Sequence, residues 1–178
     1  DPSPFGNGKP LGHHLSTATE NKLYKAVENA FDAKGKEEKR TRAVLVMHNS
    51  KLIAEKYAAG FSSETKLQGW SMTKSITNAV LGILEKQGRV DLEQNNLFQE
   101  WEEDERREIK LKHLLQMNSG LEWNEDYVTI SDVTRMLFLD ANMAESQLHK
   151  TLTAVPGEVW KYASGITNLL SLFIRQQF

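Results

Sequence analysis

The run Gly69-Trp70-Ser71-Met72-Thr73-Lys74-Ser75 opens a segment in which Met72, Ile76, Ala79, Val80, Ile83 and Leu84 recur at helical spacing, ending near Gly88. Such a stripe predicts an amphipathic helix, and a helix of that kind needs a second layer to bury its apolar face. The same run sets a serine and a lysine three residues apart, hence on one helix face. An amine within reach of a hydroxyl can take its proton, which activates serine as a nucleophile without histidine. Acyl transfer is the chemistry this spacing suggests.

The spacing alone proves little. With 12 serines and 15 lysines in 178 residues, about one Ser-x-x-Lys arises by chance. A second copy is present, Ser63-Glu64-Thr65-Lys66, in a loop between Gly60 and Gly69 with no apolar periodicity to fix its geometry. The copy at Ser71 has the helix in its favour, and a helix N-terminus favours developing negative charge. Its bland alternative is a serine N-cap beside a solvated lysine.

Elsewhere the pattern mixes helices with one hairpin. Thr17-x-x-Glu20 has the form of a capping box ahead of Leu23, Val27, Ala30 and Phe31. Ala43–His48 and Leu52–Tyr57 read as strands joined at Asn49-Ser50. Short helices are expected at Ile109–Met117, Ser131–Leu139 and from Ile166 onward, with a turn at Pro156-Gly157 before a stretch, 159–162, that can be extended. Residues 1–15 read as an irregular Pro/Gly-rich arm and Lys34–Arg42 as a solvated connection. A two-stranded hairpin is marginal alone, so the pattern looks like part of a larger domain.

Composition narrows the function classes. Apolar residues make up 39% and charged residues 26%, ordinary for a globular protein. A net charge of −2 with no basic stripe argues against nucleic acid. No apolar run is long enough to span a membrane. The absence of cysteine excludes disulfides, zinc–thiolate sites and a thiol nucleophile, and the histidines lack metal-ligand spacing; no metal or cofactor is expected.

Two further motifs complete the picture. His113 to Leu121 ends a helix in Ser119-Gly120-Leu121, and Pro156 to Gly165 contains Tyr162 and Ser164 at alternate positions, able to face one cleft on an extended backbone. In that order, Ser-x-x-Lys, Leu-Leu-x-x-x-Ser-Gly-Leu and Pro-Gly-x-x-Trp-x-Tyr-x-Ser resemble the serine β-lactamase and penicillin-binding superfamily. The likeness is to its class C branch, with carboxylesterases, DD-peptidases and 6-aminohexanoate-dimer hydrolases, over about Val44 to Phe173. Leu121-Glu122-Trp123-Asn124-Glu125-Asp126-Tyr127 also resembles an active-site loop of the last group.

The resemblance implies an α/β (α+β) fold of the β-lactamase/transpeptidase type, an antiparallel sheet with covering helices plus a helical region. Residues 1–178 would form the N-terminal portion of one such domain, with the hairpin at 43–58 and a mostly helical part over 71–178. It implies Ser71 as the acylated nucleophile, Lys74 as its base and Tyr162 as proton shuttle to the leaving group. Ser164, where class C enzymes more often have asparagine, would bond Lys74 or substrate. Tyr127 would touch the substrate carbonyl or leaving amine, and the Ser71 amide would supply one oxyanion donor. By their proximity to the motifs, Trp70 and Trp123 are the candidates to wall the pocket. A coupled Lys–Tyr pair in a partly dry cleft can divide the proton work.

The expected substrate is a small amide, ester or β-lactam. A third motif of the superfamily, a Lys-Thr-Gly or His-x-Gly strand, is not found, so the rest of the same domain is the expected partner and the stretch alone is not expected to turn over. Rival readings are a penicillin-binding sensor that deacylates slowly and a catalytically silent relative. A periplasmic or secreted location is favoured slightly over the cytoplasm. Ser131-Asp132 is read as a helix cap, Trp101 and Trp160 as core or wall, and Glu100 to Arg107 as a solvated charged surface.

Overall fold

A computed structural model describes residues 16–32 and 38–178. The arm expected over 1–15, with its His13-His14 pair, lies outside them, as does part of the connection at 34–42. The chain divides into two compact units, one running to Gln68 and one from Gly69 to Phe178.

The first unit is a helix on a hairpin. Helix α1, Thr17–Asn29, starts one residue before the expected box: Ser16 is the cap, and its hydroxyl accepts from the Thr19 amide. Ser16 is extended (φ −61°, ψ 145°), so its Oγ can turn back on the first free N–H groups, whereas Thr17 is already helical. Strands β1 (Ala43–His48) and β2 (Lys51–Tyr57) pair antiparallel, as the sequence pattern predicts. Asn49 and Ser50 both take positive φ (49° and 59°), the conformation of a two-residue hairpin turn whose twist matches the strands. The register slips between Val46 and Met47, leaving Ile53 as the extra residue of a bulge. Val27 and Phe31 close on Ala54, with Val44 and Val46 beside them, while Leu45 and Met47 on the other side of β1 are exposed.

The second unit is built around its last helix. A 3₁₀ turn, Trp70–Met72, leads into α2, Thr73–Lys86, followed by α3 (Leu111–Leu115), α4 (Asp132–Phe138), α5 (Glu145–Leu148) and α6 (Ser164–Gln176). Ile166, Leu169, Leu170 and Phe173 form one face of α6 and are all buried. They pack with Leu81 and Leu84 of α2, Leu111 and Leu114 of α3, and Val133 and Met136 of α4. At about 1.5–3 kcal/mol per buried side chain, this face is the main reason the short helices hold their places.

The stripe on α2 is used differently from what its spacing predicts. Leu81 and Leu84 are buried and Val80 partly so, but Met72 and Ile76 are 73% and 65% exposed, and Ile83 and Ala79 are exposed too. The apolar arc is wider than the face that one neighbour, α6, covers. The helix ends as expected, with Gly88 at φ 67° just beyond it.

Glu100 to Arg107 is not simply a solvated surface. Trp101 is fully buried, edge-on to Phe98, and its indole N–H donates to the Leu148 carbonyl (2.8 Å). Arg106 donates to the same carbonyl (2.9 Å) and to Lys150 O (3.2 Å). An apolar anchor and a guanidinium shared among carbonyls turn this run inward.

Candidate active site

Ser71 lies in the 3₁₀ turn and Lys74 in the first turn of α2. The residue capping α2 is Met72, with no side-chain bond, so the Ser71 hydroxyl is not spent on a helix cap. Its neighbour Trp70 carries φ +44°, an unusual conformation for a large residue and a form of strain that the surrounding structure must hold in place.

The Pro156–Ser164 stretch reaches this turn through constraints of its own. Gly120 has φ +79°, and a Cβ there would stand 2.1 Å from the Ala154 carbonyl oxygen, so only glycine allows the Ser-Gly-Leu segment to lie against 152–154. Gly157 N donates to Asn118 O (2.7 Å) and Lys161 N to Met117 O (2.8 Å). These bonds tie 157–161 to the end of α3 outside any sheet. They deliver Tyr162, whose hydroxyl donates to Ser71 Oγ at 2.8 Å.

Lys74 Nζ lies 3.1 Å from Ser71 Oγ and 3.2 Å from Ser164 Oγ, and 5.1 Å from the centre of the Tyr162 ring. Lys74 and Tyr162 thus meet at the Ser71 hydroxyl, and Ser164 joins them through its contact with Lys74. Ser71 itself is exposed, while Ser164 is buried at the start of α6. Burial pushes the Tyr162 phenol up, but hydrogen bonds to Ser71 and Lys74 and the lysine charge outweigh it, leaving the phenol below its ordinary value of 10.0.

Behind Ser164 stands Glu125, a residue that no motif singled out. One carboxylate oxygen accepts from the Ser164 hydroxyl (2.5 Å) and the Tyr127 hydroxyl (2.7 Å). The other accepts from the Ser164 amide (2.9 Å) and the Trp123 indole N–H. Burial pushes this carboxyl up, yet those hydrogen bonds together hold it below 4.5. It also answers a free N–H at the first turn of α6, where a negative charge is favoured. Nothing in composition or spacing separates Glu125 from its neighbours Glu122 and Asp126; only the fold turns it inward.

Tyr127 and Trp70 border a 220 Å³ pocket with Ser71, Lys74 and Ser164, lined also by residues of α4 and α6 including Met136 and Asn168. Trp123 does not. It is 2% exposed and packs beneath the site, where its ring edge would lie 2.7 Å from any Cβ at Gly165. The apolar ring belongs to the core and only its N–H serves the site. The tyrosine in the loop raises its own pKa through burial and its bond to Glu125.

The other candidates fall as the plainer readings have them. Ser63 donates to the adjacent Glu64 in an exposed loop, and Ser131 caps α4 by accepting from the Thr134 amide. His113 accepts from the Lys110 amide and His149 pairs with Glu145. Among the described residues no group of three or more His, Cys, Asp or Glu side chains is placed to hold a metal, and no helix is long and apolar enough to cross a membrane.

This constellation, on this fold, defines a class. The beta-lactamase family profile matches residues 27–176, and the chain belongs to that family. Among curated proteins it is 33% identical over 94 residues to a 6-aminohexanoate-dimer hydrolase of Paenarthrobacter ureafaciens, a match spanning 52% of this chain and 24% of the relative. A solved structure, provisionally named a 6-aminohexanoate-dimer hydrolase from Bacillus anthracis, superposes with a TM-score of 0.64 at 22% identity, covering 87% of this chain and 42% of that one. The second likeness supports the β-lactamase-like fold. The chain spans about a quarter of the curated relative and under half of the solved one.

Proposed function

We propose that this chain carries the nucleophile half of a serine hydrolase that cleaves a small amide or ester through a Ser71 acyl-enzyme. The observation that supports it is the Ser71 hydroxyl held between Tyr162 Oη at 2.8 Å and Lys74 Nζ at 3.1 Å at the edge of a pocket. Two proton-handling groups on one hydroxyl is what a nucleophilic serine needs and what a structural serine does not. As Ser71 Oγ attacks the carbonyl carbon, its proton passes to Lys74, and Tyr162 relays a proton to the departing nitrogen or oxygen. The Ser71 N–H donates to the developing oxyanion. Water then attacks the acyl carbon by the reverse proton path, releasing the acid and restoring the serine. The names of the relatives favour short amides among the substrates this chemistry admits.

Intact-mass spectrometry after exposure to a fluorophosphonate tests the reading. A single adduct on Ser71, absent in Ser71→Ala and retained in Ser63→Ala, is expected. Labelling that persists in Ser71→Ala sinks the assignment. A β-lactam adduct that lasts for hours without turnover of any ester or amide would replace the hydrolase with a penicillin-binding sensor.

A further inference from the structure

We propose that Glu125 is a positioning residue that fixes the direction of the hydrogen bonds running through Ser164 to Lys74, so that the lysine turns its lone pair to Ser71. The inference rests on the reading of Ser71 as nucleophile.

The argument is one of donor and acceptor counting. An ionised carboxylate only accepts, and all four groups on Glu125 donate. The Ser164 amide and the Trp123 indole N–H cannot reverse, so they pin one oxygen of the carboxylate. The other oxygen takes the only proton of the Ser164 hydroxyl, at 2.5 Å. Ser164 Oγ therefore faces Lys74 Nζ, 3.2 Å away, with lone pairs alone, and Lys74 must be the donor there. In the neutral form, the one that can take a proton, the Lys74 amine has two N–H bonds and one lone pair. With one N–H committed to Ser164, the lone pair is free to face Ser71 Oγ at 3.1 Å.

During acylation the Ser71 O–H bond breaks as the bond from Oγ to the carbonyl carbon forms, and the proton goes to that lone pair. The Ser164 proton stays on its own oxygen, donated to the Glu125 carboxylate. The depressed pKa of Glu125 keeps it ionised at neutral pH, as the scheme requires.

Glu125→Gln is the discriminating change because it is nearly isosteric. Its amide nitrogen cannot face the Ser164 N–H and Trp123 N–H, which are donors themselves, so it must face the two hydroxyls. Ser164 then accepts from the glutamine and points its proton at Lys74, consuming the lone pair. The limiting rate of Ser71 phosphonylation by a fluorophosphonate should fall by about tenfold or more, with the half-saturating probe concentration within about twofold. In a Ser164→Ala background the same change should add less than about twofold, since the path is already cut.

A folded Glu125→Gln protein that reacts at the wild-type rate overturns the proposal, and so does a loss that persists undiminished in the Ser164→Ala background. Should Glu125→Gln fail to fold, as judged by circular dichroism and its melting curve, Ser164→Ala carries the test. A wild-type rate there means that Glu125 cannot act through Ser164. If Ser71→Ala is labelled like wild type, the serine reading fails, and this one falls with it.

Discussion

Ser63-Glu64-Thr65-Lys66 and Ser71-Met72-Thr73-Lys74 carry the same spacing in two places, and the fold treats them differently. In the first, Thr65 closes a local turn by accepting from the Ser62 amide (2.9 Å), and Ser63 donates to its own neighbour. Every partner there is within a few residues. In the second, the partners of Ser71 and Lys74 come from 90 and 91 positions along the chain, Ser164 and Tyr162. A motif becomes a site when distant segments converge on it, and that convergence is what α6 and the 157–161 ties supply.

The sharpest way to break this contrast is to exchange the fates of the two serines. Ser71→Ala should abolish fluorophosphonate labelling and Ser63→Ala should leave it intact, read by intact mass. Lys74→Ala should slow labelling by roughly 10²–10⁴-fold, the usual worth of a positioned base, whereas Lys66→Ala should not change it; equal effects would erase the distinction.

Tyr162→Phe should cost roughly 10²-fold by the same measurement. It should also remove the earliest tyrosinate step in an absorbance titration, because the Tyr162 phenol is lowered while those of Tyr57 and Tyr127 are raised. Persistence of that step would detach Tyr162 from Lys74.

Convergence itself can be weakened without touching a reacting group. Gly165→Ala would press a methyl to 2.6 Å from Gln147 Oε1 and 2.7 Å from Trp123, at a cost of about 1–3 kcal/mol. Chemical denaturation should show the loss together with slower labelling.

The smallest effect is one of pH. The Glu125 carboxyl is depressed in the folded state, so its contribution to stability is present above 4.5 and fades as pH falls through its lower, folded value. Glu125→Gln should flatten that part of the acid-denaturation curve; an unaltered acid limb would show that the four hydrogen bonds do not favour the ionised form.

Much was legible before folding. The hairpin, its Asn-Ser turn, the α4 cap at Ser131 and a helix from Ile166 onward all follow from alternation, turn chemistry and helical spacing, which are local. Ordered motifs name Ser71, Lys74, Tyr162 and Ser164, the four side chains that the fold brings together. The buried side of α2 was not, because spacing defines an apolar arc and only a neighbour's shape says which part is covered. Trp101 and Arg106 were hidden by the charges around them.

What the sequence by itself determined is which groups could do the chemistry and which segments would be helix or strand, since hydroxyls, amines and periodicity are properties of the residues and their spacing. Only the tertiary structure decided that Trp123 lies beneath the pocket rather than in it, and that Glu125, alone among the loop's acids, stands behind Ser164. Those outcomes depend on burial and on the direction of hydrogen bonds between segments far apart in the chain, and neither exists until the segments meet.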